Sequence, residues 1–191
     1  MASGRTTPTL PATAWAVLGI LSFGRALSGY DVKKWADASI RFFYWSPATS
    51  QIYAELRRLE RLGFATSRDA PGGDARGKRL YRITPAGRRA LTRWLRDAPP
   101  EPPVLKHGVA LRVWLGHLAD PTALRATVEA HRDYAARMAS ELAKSHAIAE
   151  QQPAFSYPAV VTHWGQRYYE CERALAEQML ADLEELGRAQ R

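Results

Sequence analysis

A proline-rich run, Pro99-Pro100-Glu101-Pro102-Pro103, divides the 191-residue chain near its middle. Proline has no backbone N–H and its ring clashes with the preceding turn, so four prolines within five residues cannot continue a helix. The run therefore predicts a boundary between two units, residues 12–98 and residues 104–187.

The two halves differ in charge. Residues 1–98 contain 17 lysines and arginines against 7 aspartates and glutamates, whereas residues 99–191 contain 10 against 12. The net charges are therefore +10 and −2, which together give the +8 of the whole chain. A basic unit attracts polyanions because it releases their condensed counterions, so the first half is predicted to bind nucleic acid. A surface charge that only maintains solubility is the alternative.

The first half shows the signals of three helices, a hairpin and a fourth helix. The predicted N-caps of these helices are Thr13, Ser28 or Asp31, Ser46 before Pro47, and Thr84 before Pro85. Between the third and fourth helices, residues 64–68 and 80–84 flank a glycine-rich loop, which is typical of a β-hairpin. This order of elements predicts a winged helix-turn-helix with a small β-hairpin wing.

The second half is predicted to be helical throughout. Asp120-Pro121 begins a long helix, Pro153 ends it, and another long helix follows. The apolar face of the first long helix includes Leu124, Val128, His131, Ala135, Met138, Leu142, Ser145 and Ala149, and that of the second includes Val161, Trp164, Tyr168, Cys171, Leu175, Met179, Leu183 and Leu186. Two such helices form a hairpin with an apolar face that needs a partner. The predicted fold class is mainly α, a winged helix-turn-helix plus a C-terminal α-helical dimerisation domain.

Polar and basic side chains of the third helix and of the wing are the candidate DNA-binding residues. A helix fits the major groove, and its outward side chains reach phosphates and base edges. The candidates are Ser50, Gln51, Tyr53, Arg57 and Arg61 on the helix, and Arg76, Lys78 and Arg79 at the wing. Arg57 and Arg61 are four residues apart and therefore lie on one side of the helix. A solvated basic surface is the alternative interpretation.

Several motifs in the first half resemble a known family. The motif stretches are Ala16-Val-Leu-Gly-Ile-Leu, Ser28-Gly-Tyr-Asp-Val, residues 46–64 with Tyr53, Leu56 and Leu59, and residues 79–91 with Tyr81, Thr84 and Gly87. Their combination resembles the PadR family of transcriptional regulators over about residues 12–97. The family more often has proline after the tyrosine, where this chain has Ala54.

The resemblance implies a repressor that binds an inverted-repeat operator, and in many members release by a small ligand. By length and pattern, the second half resembles the longer members, whose helical tail dimerises. We therefore expect double-stranded DNA with an inverted-repeat operator as partner, a homodimer, and a small aromatic effector. The alternative is a DNA-binding regulator without a small-molecule effector, controlled by a protein partner or by its own abundance.

Three tryptophans beyond the wing are candidate effector-binding residues. Aromatic side chains suit a flat, weakly polar ligand, and related regulators stack flat ligands on aromatics near their dimer interface. The candidates are Trp94, Trp114 and Trp164, in a pocket expected where the fourth helix meets the tail. Packing in the core and in the dimer interface is the alternative role.

Enzymatic and metal chemistry are not expected from the sequence. We find no nucleophile–base set, no phosphate-binding glycine loop and no metal spacing among the histidines, so we predict no cofactor and no metal site. Cys171 is the single cysteine, which excludes an internal disulfide and is typical of a reducing cytoplasm. The N-terminus lacks the apolar segment of a signal peptide, and residues 14–21 are too short to span a bilayer. A cytoplasmic protein with no membrane partner is therefore expected.

Overall fold

The computed structural model describes residues 9–44, 46–70, 78–100 and 102–189. The chain forms two compact units that divide between residues 101 and 102. The first unit contains α1 (Ala12–Leu21), α2 (Gly29–Ala38), α3 (Thr49–Arg61), β1 (Ala65–Asp69), β2 (Arg79–Ile83) and α4 (Pro85–Asp97), with a 3-10 turn at Ile40–Phe42. This order confirms the predicted winged helix-turn-helix.

The core of the first unit fixes the direction in which α3 faces. Leu18 and Leu21 of α1 are fully buried, as are Ile52, Leu56 and Leu59 of α3. The spacing of four and three puts the α3 residues on one face of that helix, and burial of each such side chain stabilises the fold by about 1.5–3 kcal/mol. The opposite face of α3 is therefore left on the surface.

Two of the predicted helix caps are wrong. Thr13 is the second residue of α1 rather than its cap. Ser46 does not cap α3, because the helix begins at Thr49 and its N-cap position is Ala48, two residues further along the chain. The Ser46 hydroxyl instead hydrogen-bonds to the Asp37 carboxylate of α2 and accepts a hydrogen bond from Lys33 Nζ at 3.0 Å.

The other two predicted caps are confirmed. Ser28 and Asp31 form a capping box at the start of α2: the Asp31 amide donates to Ser28 Oγ at 3.2 Å, and Asp31 Oδ2 accepts the Ser28 amide at 2.9 Å. Thr84 caps α4 by accepting the Gly87 amide at 3.0 Å, with Pro85 in the first turn. Both caps satisfy helix N–H groups that would otherwise lack partners.

We expect Asp31→Asn to reduce the stability of the chain at neutral pH and to flatten its loss in acid. Hydrogen bonds from the Ser28 side chain and backbone, with a smaller contribution from Lys78, outweigh burial and hold the pKa of Asp31 below 3.8. A carboxyl whose pKa is lower in the folded state stabilises the fold above its unfolded pKa, and this contribution disappears as the pH falls through the folded value. Urea unfolding between about pH 5 and pH 2 measures the difference. Parallel profiles for the parent and the variant would contradict the expectation.

The wing is a two-stranded antiparallel hairpin attached to the helical core. β1 pairs with β2 in the register Ala65↔Ile83 through Asp69↔Arg79. Leu27 extends the hairpin on the side of β2, because it exchanges two backbone hydrogen bonds with Tyr81 of 2.8 and 2.9 Å. Tyr81 and Ile83 are buried, so one face of the hairpin belongs to the core.

The second unit is a helical hairpin preceded by a short helix. It contains α5 (Gly108–Trp114), α6 (Pro121–Glu150) and α7 (Ser156–Ala189), with 3-10 turns at Gly116–Leu118 and Pro153–Phe155. The predicted apolar face of α6 is confirmed in large part, since its buried residues are Leu124, Val128, Ala135, Met138, Leu142 and Ala149. α6 and α7 pack against each other along their length.

The face of α7 that is buried differs from the predicted one. The buried residues are mostly small, namely Ala159, Thr162, Gly165, Ala176 and Leu180. A Cβ on Gly165 would lie 3.2 Å from Leu142 Cδ1, which shows how closely the helices approach there. A second row of large apolar side chains, which we name the α7 stripe, remains on the surface and consists of Tyr157, Val160, Trp164, Tyr168, Leu175 and Leu186. The exposed Cys171 lies in the same row.

No helix in the described part of the chain has both the length and the apolar character required to cross a membrane.

Candidate functional site

The exposed face of α3 carries four of the predicted DNA-binding residues together. Ser50, Tyr53, Arg57 and Arg61 recur at steps of three and four and are all exposed, on the side opposite Ile52 and the other core residues. Among the described residues, neither Arg57 nor Arg61 pairs with an acidic side chain. Both guanidinium groups are therefore available to an external anion.

Gln51 and Tyr53 also help to hold α3 in position. Gln51 Oε1 accepts the Ala48 amide at 2.9 Å, which leaves the Gln51 amide nitrogen available as a donor. The Tyr53 ring lies over Gly29 of α2, where an added Cβ would come within 2.4 Å of Tyr53 Cε1. Tyr53 thus contacts α2 with one part of its ring and remains 38% exposed.

Glu55 of α3 is a charged side chain that is only 9% exposed. Arg58 Nε lies 3.3 Å from Glu55 Oε2, although this oxygen has no hydrogen bond of good alignment among the described residues. Because Arg58 is paired with Glu55, it is less available to an external anion than the neighbouring Arg57. A glutamate between leucines of an amphipathic helix gives no signal that would have predicted its burial.

Two of the predicted basic residues of the wing form ion pairs with the helices behind it. Lys78 Nζ lies 3.7 Å from Asp31 Oδ2, and an Arg79 terminal nitrogen lies 3.3 Å from Glu60 Oε1. Lys78 and Arg79 are both about half exposed, at 55% and 52%, and exposed pairs of this kind are weak. They can therefore exchange a carboxylate for a phosphate. The predicted Arg76 lies outside the described residues.

Two further arginines on the hairpin were missed in the sequence analysis. Arg68 of β1 and Arg82 of β2 are exposed, and the register Thr66↔Arg82 and Arg68↔Leu80 puts them on the same face of the hairpin. The alternation of side chains along the two strands would have indicated this face. Their charges add to the basic surface of the first unit.

The three predicted effector residues occupy different environments. Trp94 of α4 stacks on Trp15 of α1, with ring centroids 5.2 Å apart and an interplanar angle of 13°. In the second unit, Trp114 is 77% exposed, and Trp164 is 55% exposed and stacks on Tyr168 at 5.6 Å. Trp94 therefore has a packing role in the first unit, while Trp114 and Trp164 present aromatic surface to solvent.

The second unit contains a cleft of about 460 Å³. Its lining residues are Leu105, Lys106, His107, Gly108, Val109, Arg112, His131, Tyr134, Tyr168, Tyr169 and Glu172. Burial raises the pKa of the Tyr169 hydroxyl well above its usual value. Tyr168, the stacking partner of Trp164, belongs to this lining, whereas the three predicted tryptophans do not.

Two histidines and a glutamate meet in this cleft. The Nε2 atoms of His107 and His131 each lie 3.1 Å from Glu172 Oε2. Burial would raise the pKa of Glu172, but hydrogen bonds from His131, His107 and Tyr168 together hold it below the usual value. No local spacing in the sequence marks this cluster, because Glu172 lies 65 and 41 residues from the two histidines.

Comparisons with known proteins agree with this architecture. Residues 17–93 match the family described as the transcriptional regulator PadR-like family. The negative transcriptional regulator PadR of Bacillus subtilis is 36% identical over 100 residues, which are 52% of this chain and 54% of that protein. The aligned sequence thus spans about half the length of this curated relative.

Solved structures of PadR resemble this chain over about nine-tenths of its length. Bacillus subtilis PadR in complex with operator DNA is similar with a TM-score of 0.75 and 25% identity, over 91% of this chain and 99% of that one. Bacillus subtilis PadR in complex with p-coumaric acid is similar with a TM-score of 0.70 and 24% identity, again over 91% and 99% of the two chains.

Proposed function

Since residues 17–93 match the PadR-like family of transcriptional regulators, we propose that the chain is a repressor that binds an inverted-repeat operator as a homodimer. The observation that carries this proposal is the exposed face of α3, where Arg57 and Arg61 have no acidic partner among the described residues. An unpaired arginine on the exposed face of a surface helix suits the bidentate recognition of guanine or a phosphate. The relative solved with operator DNA has the same fold.

The wing supports the same function by a different interaction. Lys78 and Arg79 are exposed at the base of the loop, and Arg68 and Arg82 share one face of the hairpin. Such side chains contribute sequence-independent affinity, because each phosphate they neutralise releases condensed counterions. In this division of roles, α3 supplies specificity and the wing supplies affinity.

The α7 stripe supports the homodimer. Its members Tyr157, Val160 and Leu175 are 85%, 69% and 62% exposed in the single chain. Large apolar side chains in a row along one helix are typical of an interface, and a second copy of the same helix is an occupant of matching length and pattern. Two copies joined in this way bring two α3 helices to the two halves of an inverted repeat.

The cleft of the second unit supports release by a small aromatic ligand. A volume of about 460 Å³ is within the range of small-molecule sites. Tyr134, Tyr168 and Tyr169 offer ring faces and hydroxyl groups, and Lys106 and Arg112 are nearby cations. The relative solved with p-coumaric acid has the same fold. Trp94, Trp114 and Trp164 remain predicted effector residues.

We expect Arg57→Ala and Gln51→Ala to weaken binding to a selected operator more than binding to random duplex DNA. Losing a good bidentate base contact costs about 1–3 kcal/mol at the cognate base, which is about a 5–150-fold loss of affinity. Arg76→Ala and Lys78→Ala should weaken binding to both DNAs and should reduce the slope of log K against log salt by about 1. Fluorescence anisotropy across a salt series measures both effects, with Arg188→Ala at the end of α7 as a matched control. Equal losses on both DNAs for the α3 variants would contradict the assignment of α3 as the reading helix.

We expect phenolic acids to quench tryptophan fluorescence and to release the operator over the same concentration range. Tyr134→Ala should weaken both responses if the cleft is the site, while Trp94→Ala, Trp114→Ala and Trp164→Ala test the predicted tryptophan site. A ligand shifts the DNA-binding equilibrium only through its different affinity for the two states, so binding and release must coincide. Binding without release would support the alternative, in which a protein partner or abundance controls the regulator.

A further inference from the structure

Three metal-ligating side chains from three helical elements meet at one wall of the cleft. His107 is the N-cap of α5, His131 lies on α6 and Glu172 lies on α7. One nitrogen from each histidine and one carboxylate oxygen lie within 4.8 Å of one another. We propose that His107, His131 and Glu172 form a binding site for a divalent transition-metal ion of the zinc class.

The distances within the cluster suit such an ion. In a tetrahedral site with metal–ligand bonds of about 2.0–2.1 Å, neighbouring ligand atoms lie about 3.3 Å apart. The two separations between histidine nitrogen and Glu172 oxygen are 3.1 Å, close to this spacing, and the two histidine nitrogens lie within 4.8 Å of each other. Two imidazoles and one carboxylate leave a fourth position open, which faces the cleft and takes water or an oxygen donor.

The surroundings of the three side chains resemble the outer shell of a metal site. Ligating carboxylates in such sites are themselves hydrogen-bonded, and Tyr168 hydrogen-bonds to Glu172. The side chains of His107, His131 and Glu172 are 19%, 20% and 12% exposed, so they are sheltered but reachable from the cleft. Imidazole and carboxylate together favour zinc and its neighbours over calcium or magnesium, which prefer oxygen ligands alone.

One hydrogen bond opposes metal binding and provides a signature for it. His107 Nδ1 accepts the Ala110 amide at 3.0 Å, which in a neutral ring places the proton on Nε2, the atom that faces Glu172. An ion on Nε2 requires that proton to leave and Nδ1 to become protonated, which removes the cap from Ala110. The cap is a single neutral hydrogen bond, whereas the ion would be held by three side chains, so we expect metal binding to displace the cap. The Ala110 amide should therefore report occupancy of the site.

The test uses the tag-free, full-length chain after treatment with a chelator. Titration with zinc chloride in a calorimeter should show one ion per chain, and cobalt chloride should give the visible absorption bands of a four-coordinate ion. Mutating a residue that only hydrogen-bonds to a metal ligand typically weakens metal affinity by roughly 10–100-fold. Glu172→Gln and His131→Ala remove a ligand itself, so each should weaken zinc affinity by more than this. In the parent chain, zinc should shift the amide resonance of Ala110.

A second histidine–glutamate pair provides matched controls. His146 Nε2 lies 3.3 Å from Glu150 Oε1 on α6, away from the cluster, so His146→Ala and Glu150→Gln should leave the affinity for zinc unchanged. Thermal melting of the metal-free variants shows whether each variant is folded. If a variant is unfolded, the Ala110 amide resonance of the parent chain still shows whether zinc binds at His107. The proposal is overturned if the parent takes up no zinc, if zinc leaves the Ala110 resonance in place, or if uptake survives both Glu172→Gln and His131→Ala.

Discussion

Leu175→Arg is expected to convert the proposed dimer of the 191-residue chain into monomers and to weaken binding to a two-half-site operator by about 10²–10⁴-fold. Leu175 is 62% exposed in the middle of the α7 stripe, and in the proposed dimer it would be buried against a second copy. An arginine there would bury an unpaired charge in an apolar interface. Once the dimer separates, each α3 binds its half-site alone, and the advantage of linked binding is lost.

The adjacent residue supplies the control for this variant. Ala174 is exposed on α7, but it lies about 100° around the helix from Leu175, outside the stripe. Ala174→Arg adds the same charge one position earlier and should leave both the dimer and operator binding intact. Analytical ultracentrifugation and operator titration measure the two properties on the same samples. A Leu175→Arg variant that sediments as a tight dimer would show that the interface lies elsewhere.

Gly87→Ala is expected to destabilise the first unit by about 3 kcal/mol or more, a large fraction of the stability of a typical domain. A Cβ at Gly87 would lie 2.1 Å from the Phe64 carbonyl oxygen and 3.0 Å from Ile83 Cγ1. The carbonyl cannot simply move aside, because it also accepts the Thr84 amide at 2.9 Å at the junction between wing and helix. The start of α4 must therefore separate from the wing to admit a methyl group.

Gly19→Ala is the matched control for Gly87→Ala. Gly19 lies within α1, and an added Cβ there would meet nothing within 4 Å. Alanine in a helix interior is favoured over glycine by about 0.5–1 kcal/mol, so this variant should be neutral or slightly more stable than the parent. Urea unfolding followed by circular dichroism compares the two. Similar stabilities for both variants would contradict the close approach of Gly87 to the Phe64 carbonyl.

The sequence predicts the first unit well because its signals are local. The spacing of Ile52, Leu56 and Leu59 defines the buried face of α3, and the exposed face with Arg57 and Arg61 follows from helix geometry alone. The spacing of Tyr81, Thr84 and Gly87, which marks the family resemblance, has a physical basis in the cap of α4 and in the contact of Gly87 with the wing.

The second unit is predicted less completely because its contacts join distant parts of the chain. Apolar periodicity finds α6 and α7, but the apolar arc of α7 is too wide to show which part contacts α6. The small residues Ala159, Gly165 and Ala176 decide this, since they allow the helices to approach closely. The meeting of His107, His131 and Glu172 depends on the packing of three helices and has no signature in sequence spacing.

The central claim is that α3 reads the operator in the major groove, and methylation protection of guanine N7 tests it most directly. N7 lies in the major groove, where the Arg57 side chain is expected to contact it. For an operator selected from random duplex DNA, we predict protected guanines in two half-sites whose centres lie about one helical turn apart or a multiple of it. In Arg57→Ala, at a concentration that saturates the DNA, protection at one symmetry-related pair of guanines should disappear while the remaining contacts persist. Protection that is identical in the parent and the variant, or absent from the major groove of the parent complex, would contradict the claim.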